Sequence, residues 1–173
     1  MLLEDDRDDQ FKGSHMHRLL VREVMQPSVI TIRPDQMAAD AAQLMEEHGV
    51  RRLPVVDDSD DGGLVGIVTD SDVLEAQTVD SVLSTYEPGA AQAWLAVADV
   101  MTRDVITISP EATVGQLAQV FLDEKISGVP VVMPESDTLQ PLRVVGIVTE
   151  ADIFRLIANA WKVEAEEHSA LMA

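Results

Sequence analysis

Val65-Gly66-Ile67-Val68-Thr69-Asp70-Ser71-Asp72 recurs 80 residues later as Val145-Gly146-Ile147-Val148-Thr149-Glu150-Ala151-Asp152. Upstream of each copy lies a second repeated stretch. Met25-Gln26-Pro27-Ser28-Val29-Ile30-Thr31-Ile32 matches Met101-Thr102-Arg103-Asp104-Val105-Ile106-Thr107-Ile108, and Leu53-Pro54-Val55-Val56 matches Val129-Pro130-Val131-Val132. The spacing of these upstream matches is constant at 76 residues. A repeated unit with matching Pro, Gly and Asp punctuation predicts two similar lobes related by a pseudo-twofold axis. Such an axis creates clefts, and clefts are where small ligands bind.

Each unit reads strand, helix, strand, strand, helix. Val29–Ile32 and Val105–Ile108 are short β-branched runs closed by Pro34 and Pro110, which end a strand and favour helix entry. Val114, Leu117, Ala118, Phe121 and Leu122 share one face of a predicted helix, as do Met37, Ala41, Leu44 and Met45 in the first unit. Gly49 is the expected helix stop. Thr113 is a good N-cap, whereas its counterpart Met37 is not. Leu53–Val56 and Val129–Met133 are predicted buried strands, paired with Leu64–Val68 and Val144–Val148 across turn-rich segments. Helices follow from Ser71 to about Thr78 and from Ala151 to about Val163, the second amphipathic through Ile153, Phe154, Ile157, Ala160 and Trp161.

At roughly 60 residues a lone unit is marginal in size, so the two are expected to share one composite domain. The fold class is α/β (α+β), with two β-α-β-β-α repeats at 17–78 and 99–165. A connector covers 79–98, with a turn at Tyr86-Glu87-Pro88-Gly89 and a short helix from Ala90 to Val97, and a tail covers 166–173. Gly13-Ser14-His15-Met16 has the pattern of a cleaved expression tag, so residues 1–16 are read as leader and scar outside the fold.

The chain has 173 residues, 46% of them hydrophobic but only 3% aromatic, so its core rests on aliphatic side chains and Met. A net charge of −19 argues against nucleic acid and anionic membrane surfaces, both of which need basic protein surface. Without cysteine there is no disulfide, thiolate nucleophile or Cys-bound zinc. This fits a cytoplasmic protein, and no apolar run approaches the ~18 residues of a membrane span. Catalysis has little support. His17, His48 and His168 lack a recognisable nucleophile or carboxylate partner, and phosphate-loop, dinucleotide and zinc-protease motifs are absent. The Asp57–Asp61 run lacks the closing Glu of a calcium loop and reads as a solvated turn.

The ordered elements h-M, V-I-T-I-x-P, G-V-x-x-L-P-V-V and G-I-V-T-x-x-D, occurring twice, resemble the CBS domain, and the tandem resembles a CBS pair or Bateman module. The resemblance covers about Leu20–Ala76 and Asp99–Ala160, with nothing resembling a catalytic or transport domain attached. It implies a regulatory module that senses an adenosine-type ligand (AMP, ADP, ATP or S-adenosylmethionine), often as a homodimer, acting on an unknown regulated protein. It requires no cofactor, with Mg2+ an optional companion of the nucleotide. The competing class is a structural or interaction scaffold with vestigial clefts.

Carried over by the resemblance, Thr69 and Thr149 contact phosphate, and Asp72 and Asp152 take the ribose hydroxyls. A strand end feeding a helix start supports this independently, through free N–H groups and the helix dipole. So does a carboxylate able to accept bonds from a diol. The same spacing is also that of a capping box. The resemblance places Thr149 and Asp152 in one cleft with Met25, Ser28, Ile30 and Val50, and Thr69 and Asp72 in the other with Met101, Asp104, Ile106 and Ile126. Ile67, Ile147 and Ser127 complete the expected lining. Arg51 and Arg52 stand where the second unit has Ser127 and Gly128. The clefts are therefore expected to be unequal, with one of these arginines clamping phosphate unless both pair with Asp57, Asp58 or Asp60. Asp104 departs the other way, because its carboxylate repels polyphosphate or demands a cation.

Overall fold

The computed structural model describes residues 18–57, 63–76, 95–133 and 142–171, with side chains of the last segment through Lys162. Its elements are α1 (Val21–Val24), α2 (Ala38–His48), β1 (Arg52–Val56), β2 (Leu64–Thr69), α3 (70–76), α4 (Val97–Val100), α5 (Val114–Glu124), β3 (Gly128–Met133), β4 (Arg143–Thr149) and α6 (Glu150–Leu171). The expected turn at 86–89 and the expected helix from Ala90 as far as Trp94 lie outside the described residues, as do Asp58 and Asp60.

β1 pairs antiparallel with β2, and β3 with β4, in equivalent registers: Arg52 opposes Thr69, and Gly128 opposes Thr149. Both hairpins carry an irregularity at the same place, between Val55 and Val56 and between Val131 and Val132. The expected strands at 29–32 and 105–108 shrink to single parallel bridges, Ile32 to Val55 and Ile108 to Val131. Each buries its isoleucine and bonds through backbone, Ile32 N–H to Pro54 O at 3.1 Å and Ile108 N–H to Pro130 O at 3.1 Å.

The two units exchange their first turns, which the sequence reading did not foresee. Val21 of α1 is fully buried in the second unit's core with Ile108, Leu117, Phe121, Val129, Val131 and Val148. Val97 and Met101, around α4, are buried in the first unit's core with Ile32, Ala41, Met45, Leu53, Val55 and Val68. Matching backbone bonds fix the exchange: Val21 N–H to Ala112 O and Val97 N–H to Gln36 O, both 2.8 Å. Past these turns the chain crosses to the other hairpin, where Gln26 bridges Ile147 and Thr102 bridges Ile67. The close approach requires Gly146 and Gly66. A Cβ on Gly146 would lie 2.5 Å from Met25 Sδ, and one on Gly66 would lie 2.5 Å from Met101 Sδ.

Several expectations change. Leu122 is 72% exposed rather than on the inner face of α5, and Phe154 and Trp161 of α6 are 65% and 68% exposed. The inward face of α6 instead buries Asp152 and packs Ile153 against the core. α6 also runs to Leu171, past the expected stop near Val163. Met37 precedes α2 as its N-cap, its N–H bonded to Asp40 Oδ2 at 3.1 Å, rather than lying on the helix face.

Candidate functional site

Each β-strand that ends in Thr runs directly into a helix, β2 into α3 and β4 into α6. At that junction Thr149 N–H and Oγ1–H both donate to Asp152 Oδ2, at 2.9 and 2.7 Å. Thr69 does the same to Asp72 Oδ2, at 2.8 and 2.7 Å, and Asp72 N–H returns a 3.4 Å contact to Thr69 Oγ1. Capping is therefore formed at both junctions. It commits each Thr hydroxyl hydrogen to the Asp, so any anion here must be met by backbone N–H groups or by arginines.

Beside these junctions lie two clefts, each built from both units. The larger, about 890 Å³, joins Gln26, Ser28, Val29 and Ile30 and the 48–52 segment to Ser127, Ile147, the 149–152 segment with Glu150 and Asp152, Phe154 and Arg155. The smaller, about 210 Å³, joins Arg52, Ile67, Thr69 and Asp72 to Thr102, Asp104, Val105, Ile106, Ile126 and Gly128. The residues expected together line one cleft each, and the two cavities differ in volume. Met25 and Met101 are the exceptions. They line neither cleft, because each side chain turns onto the glycine of the opposite hairpin.

In the large cleft Asp152 is 7% exposed. Its Oδ1 accepts from Gln26 Nε2 at 3.2 Å and from Arg155 Nη1 at 2.8 Å. Burial raises the pKa of this carboxyl, but the bonds from Thr149, Gln26 and Arg155 outweigh burial and hold it below the ordinary Asp value. Asp72, by contrast, has Oδ1 without a partner among the described residues.

Of the acids expected to pair with Arg51 and Arg52, Asp58 and Asp60 lie outside the described residues, and the bonds described for the two arginines go elsewhere. Arg51 Nε bonds Asp70 Oδ2 at 2.8 Å in an exposed ion pair at the large cleft, and this bond holds the Asp70 pKa down. Arg52 crosses the pseudo-twofold, donating from Nη1 to Gly128 O at 2.7 Å and from Nη2 to Ser127 Oγ at 2.6 Å. A Cβ on Gly128 would sit 2.7 Å from Arg52 Nη1, so glycine there makes room for the crossing. Burial and then Arg51 pull the Arg52 pKa down, against Asp70 and Glu150, yet a guanidinium stays charged. Arg52 lines both clefts and Arg51 only the large one of the two.

The sequence reading omitted Gln26, His48 and Arg155 from the large cleft and Thr102 from the small one. Arg155 was findable, since i, i+3 places it beside Asp152 on a helix. Gln26 was not, because its reach depends on the bridge to Ile147. Among the described residues no cluster of three His, Cys, Asp or Glu is arranged to hold a metal, and no helix is long and apolar enough to cross a membrane.

Comparison with known proteins returns the CBS domain family over residues 21–78 and 97–159. An inosine-5'-monophosphate dehydrogenase of Korarchaeum cryptofilum is 34% identical over 80% of this chain, but only 24% of that protein is matched. This chain spans less than a third of the first curated relatives it matches. Among solved structures, the CBS domain pair of protein MJ0100, in complex with 5'-methylthioadenosine and S-adenosyl-L-methionine, is 33% identical with a TM-score of 0.65, covering 82% of this chain and 97% of that one. CBSX2 in complex with AMP is 26% identical with a TM-score of 0.62, covering 82% and 98%.

Proposed function

This chain belongs to the CBS-domain family, and on that premise we propose that it is a regulatory module that senses an adenosine-type nucleotide, with its large cleft as the principal site. One observation carries the proposal: Thr149, Asp152, Arg51, Arg52 and Arg155 meet around a single cavity with Ile30, Val50 and Ile147 in its wall. The aliphatic side chains offer a slot for a purine. Asp152 offers a diol acceptor once Arg155 releases it, and the freed Arg155 joins Arg51 as a cation for phosphate. Ala151 N–H, in the first turn of α6, has no acceptor among the described residues and adds a backbone donor. On a chain of net charge −19, this local positive charge is what an anionic ligand requires. The adenosine-type ligands held by MJ0100 and CBSX2 support the same ligand class.

Signalling would run through a homodimer. Leu74 of α3 and Phe154 of α6 occupy equivalent positions, are each 65% exposed, and give a second copy an apolar face. Phe154 also lines the large cleft, so occupancy and dimer geometry share a residue. The output is a population shift toward a regulated protein, limited by the ligand's preference between the two arrangements. No catalytic step is assigned to the chain.

The test is calorimetry and thermal unfolding with AMP, ADP, ATP and S-adenosylmethionine, on the parent and on Ile30→Trp, which fills the large cleft. At 100 times its dissociation constant a bound ligand adds about 2.7 kcal/mol, a midpoint rise of several degrees for a protein of this size. The rise is expected to vanish in Ile30→Trp. No rise with any of the four ligands would leave the scaffold reading in its place.

A further inference from the structure

The pseudo-twofold relates the clefts in backbone but not in charge. Ser28 of the large cleft is replaced in the small one by Asp104, and Arg155 corresponds to Glu75. Each cleft wall carries two carboxylates, Asp72 and Asp104 in the small one and Asp152 and Glu150 in the large one, so the difference in charge lies in the cations. The small cleft's one cation among the described lining residues is Arg52, whose Nη1 and Nη2 are committed to Gly128 O and Ser127 Oγ. At the helix start beside the small cleft, Ser71 N–H is taken by Asp70 Oδ1 at 2.9 Å, whereas Ala151 N–H, which lines the large cleft, has no acceptor among the described residues. A phosphate entering the small cleft would meet two carboxylates and a single guanidinium, already bonded to Gly128 and Ser127, where the large cleft sets three guanidiniums, Arg51, Arg52 and Arg155, against its two carboxylates.

We infer that Asp104 is a specificity determinant that turns phosphate away from the small cleft, which takes instead an uncharged or cationic adenosine derivative, while anionic nucleotides are confined to the large cleft. The inference rests on reading both clefts as adenosine sites. It adds that one chain distinguishes two charge classes of a shared scaffold, so the module responds to their ratio. The Oδ1 of Asp72, without a partner among the described residues, is the acceptor for the ribose hydroxyls.

The experiment is calorimetric stoichiometry with adenosine and with AMP, each with and without Mg2+, on the parent chain and on Asp104→Ser, which installs the residue of the large cleft. Asp104 is exposed, so the variant is expected to fold. Asp104→Asn is a second variant that keeps the side-chain shape. The parent is expected to take two adenosines but one AMP per chain. Both variants are expected to take two of each, with AMP affinity at the new site raised at least tenfold above the parent's limit. Retained adenosine binding distinguishes loss of repulsion from a merely structural change. The inference is overturned if the parent already binds two AMP, with or without Mg2+, or if the variants stay at one AMP. A single adenosine per parent chain overturns it too, while leaving the large cleft as a nucleotide site. Binding of neither ligand overturns the adenosine reading and this inference together.

Discussion

Asp152 shows how one side chain can serve stability and recognition at once. Its two oxygens accept four hydrogen bonds, from Thr149 N–H and Oγ1–H, Gln26 and Arg155, so removing the carboxylate strands several partly buried donors. Asp152→Ala is therefore expected to cost about 1–3 kcal/mol, read by urea unfolding. The same bonds depress its pKa, and the sign follows. The unfolded chain binds this proton more readily than the folded one, so the stabilisation is complete above the ordinary Asp pKa. It is lost as pH falls through and below that value. Unfolding followed across the acid range is expected to show a steeper loss for the parent than for Asp152→Asn, which cannot titrate; coincident slopes would remove Asp152 from the acid response. The junction Thr was legible as both cap and ligand residue. The structure forms the cap, and in the proposed reading anion contact falls to Arg51, Arg155 and the α6 amides rather than to the Thr hydroxyl.

Duplication also permits a controlled comparison of elements. α2 and α5 are each 11 residues long and end in left-handed residues at equivalent positions, Gly49 at φ 63° and Lys125 at φ 55°. Glycine enters that region without steric penalty, whereas a side chain with a Cβ costs on the order of 1 kcal/mol. A Cβ on Gly49 would touch nothing within 4 Å, so the difference is purely conformational. Lys125→Gly is expected to raise stability by about 1 kcal/mol and Gly49→Ala to lower it by a similar amount, both measured by denaturant midpoints at constant slope. Opposite signs at the two ends are the outcome that matters; equal signs would mean that the caps are not equivalent. The one-turn helices α1 and α4 were not legible, since four residues set no periodicity. Only the burial of Val21 and Val97 in the other unit's core explains why those turns are helical.

At the scale of the molecule, exchanged turns make the two cores interdependent, so the chain is expected to unfold in one transition. In the proposed reading, dimerisation rests on the apolar face formed by Leu74 and Phe154. Leu74→Asp with Phe154→Asp is expected to halve the mass seen in sedimentation equilibrium with little loss of monomer stability, because both side chains are largely exposed; an unchanged mass would move the interface elsewhere. The amino-acid sequence by itself determined the duplication, both hairpins and the two long repeat helices, which follow from local periodicity and turn chemistry that each unit carries in full; the division of residues between two clefts came from the family resemblance, not from any local pattern. Only tertiary structure decided that the first turns change places, that Met25 and Met101 cover glycines instead of lining clefts, and that Arg52 spans the axis. Those outcomes depend on which side chain reaches an opposing backbone first, a matter of distances between residues far apart in the chain that no local pattern encodes.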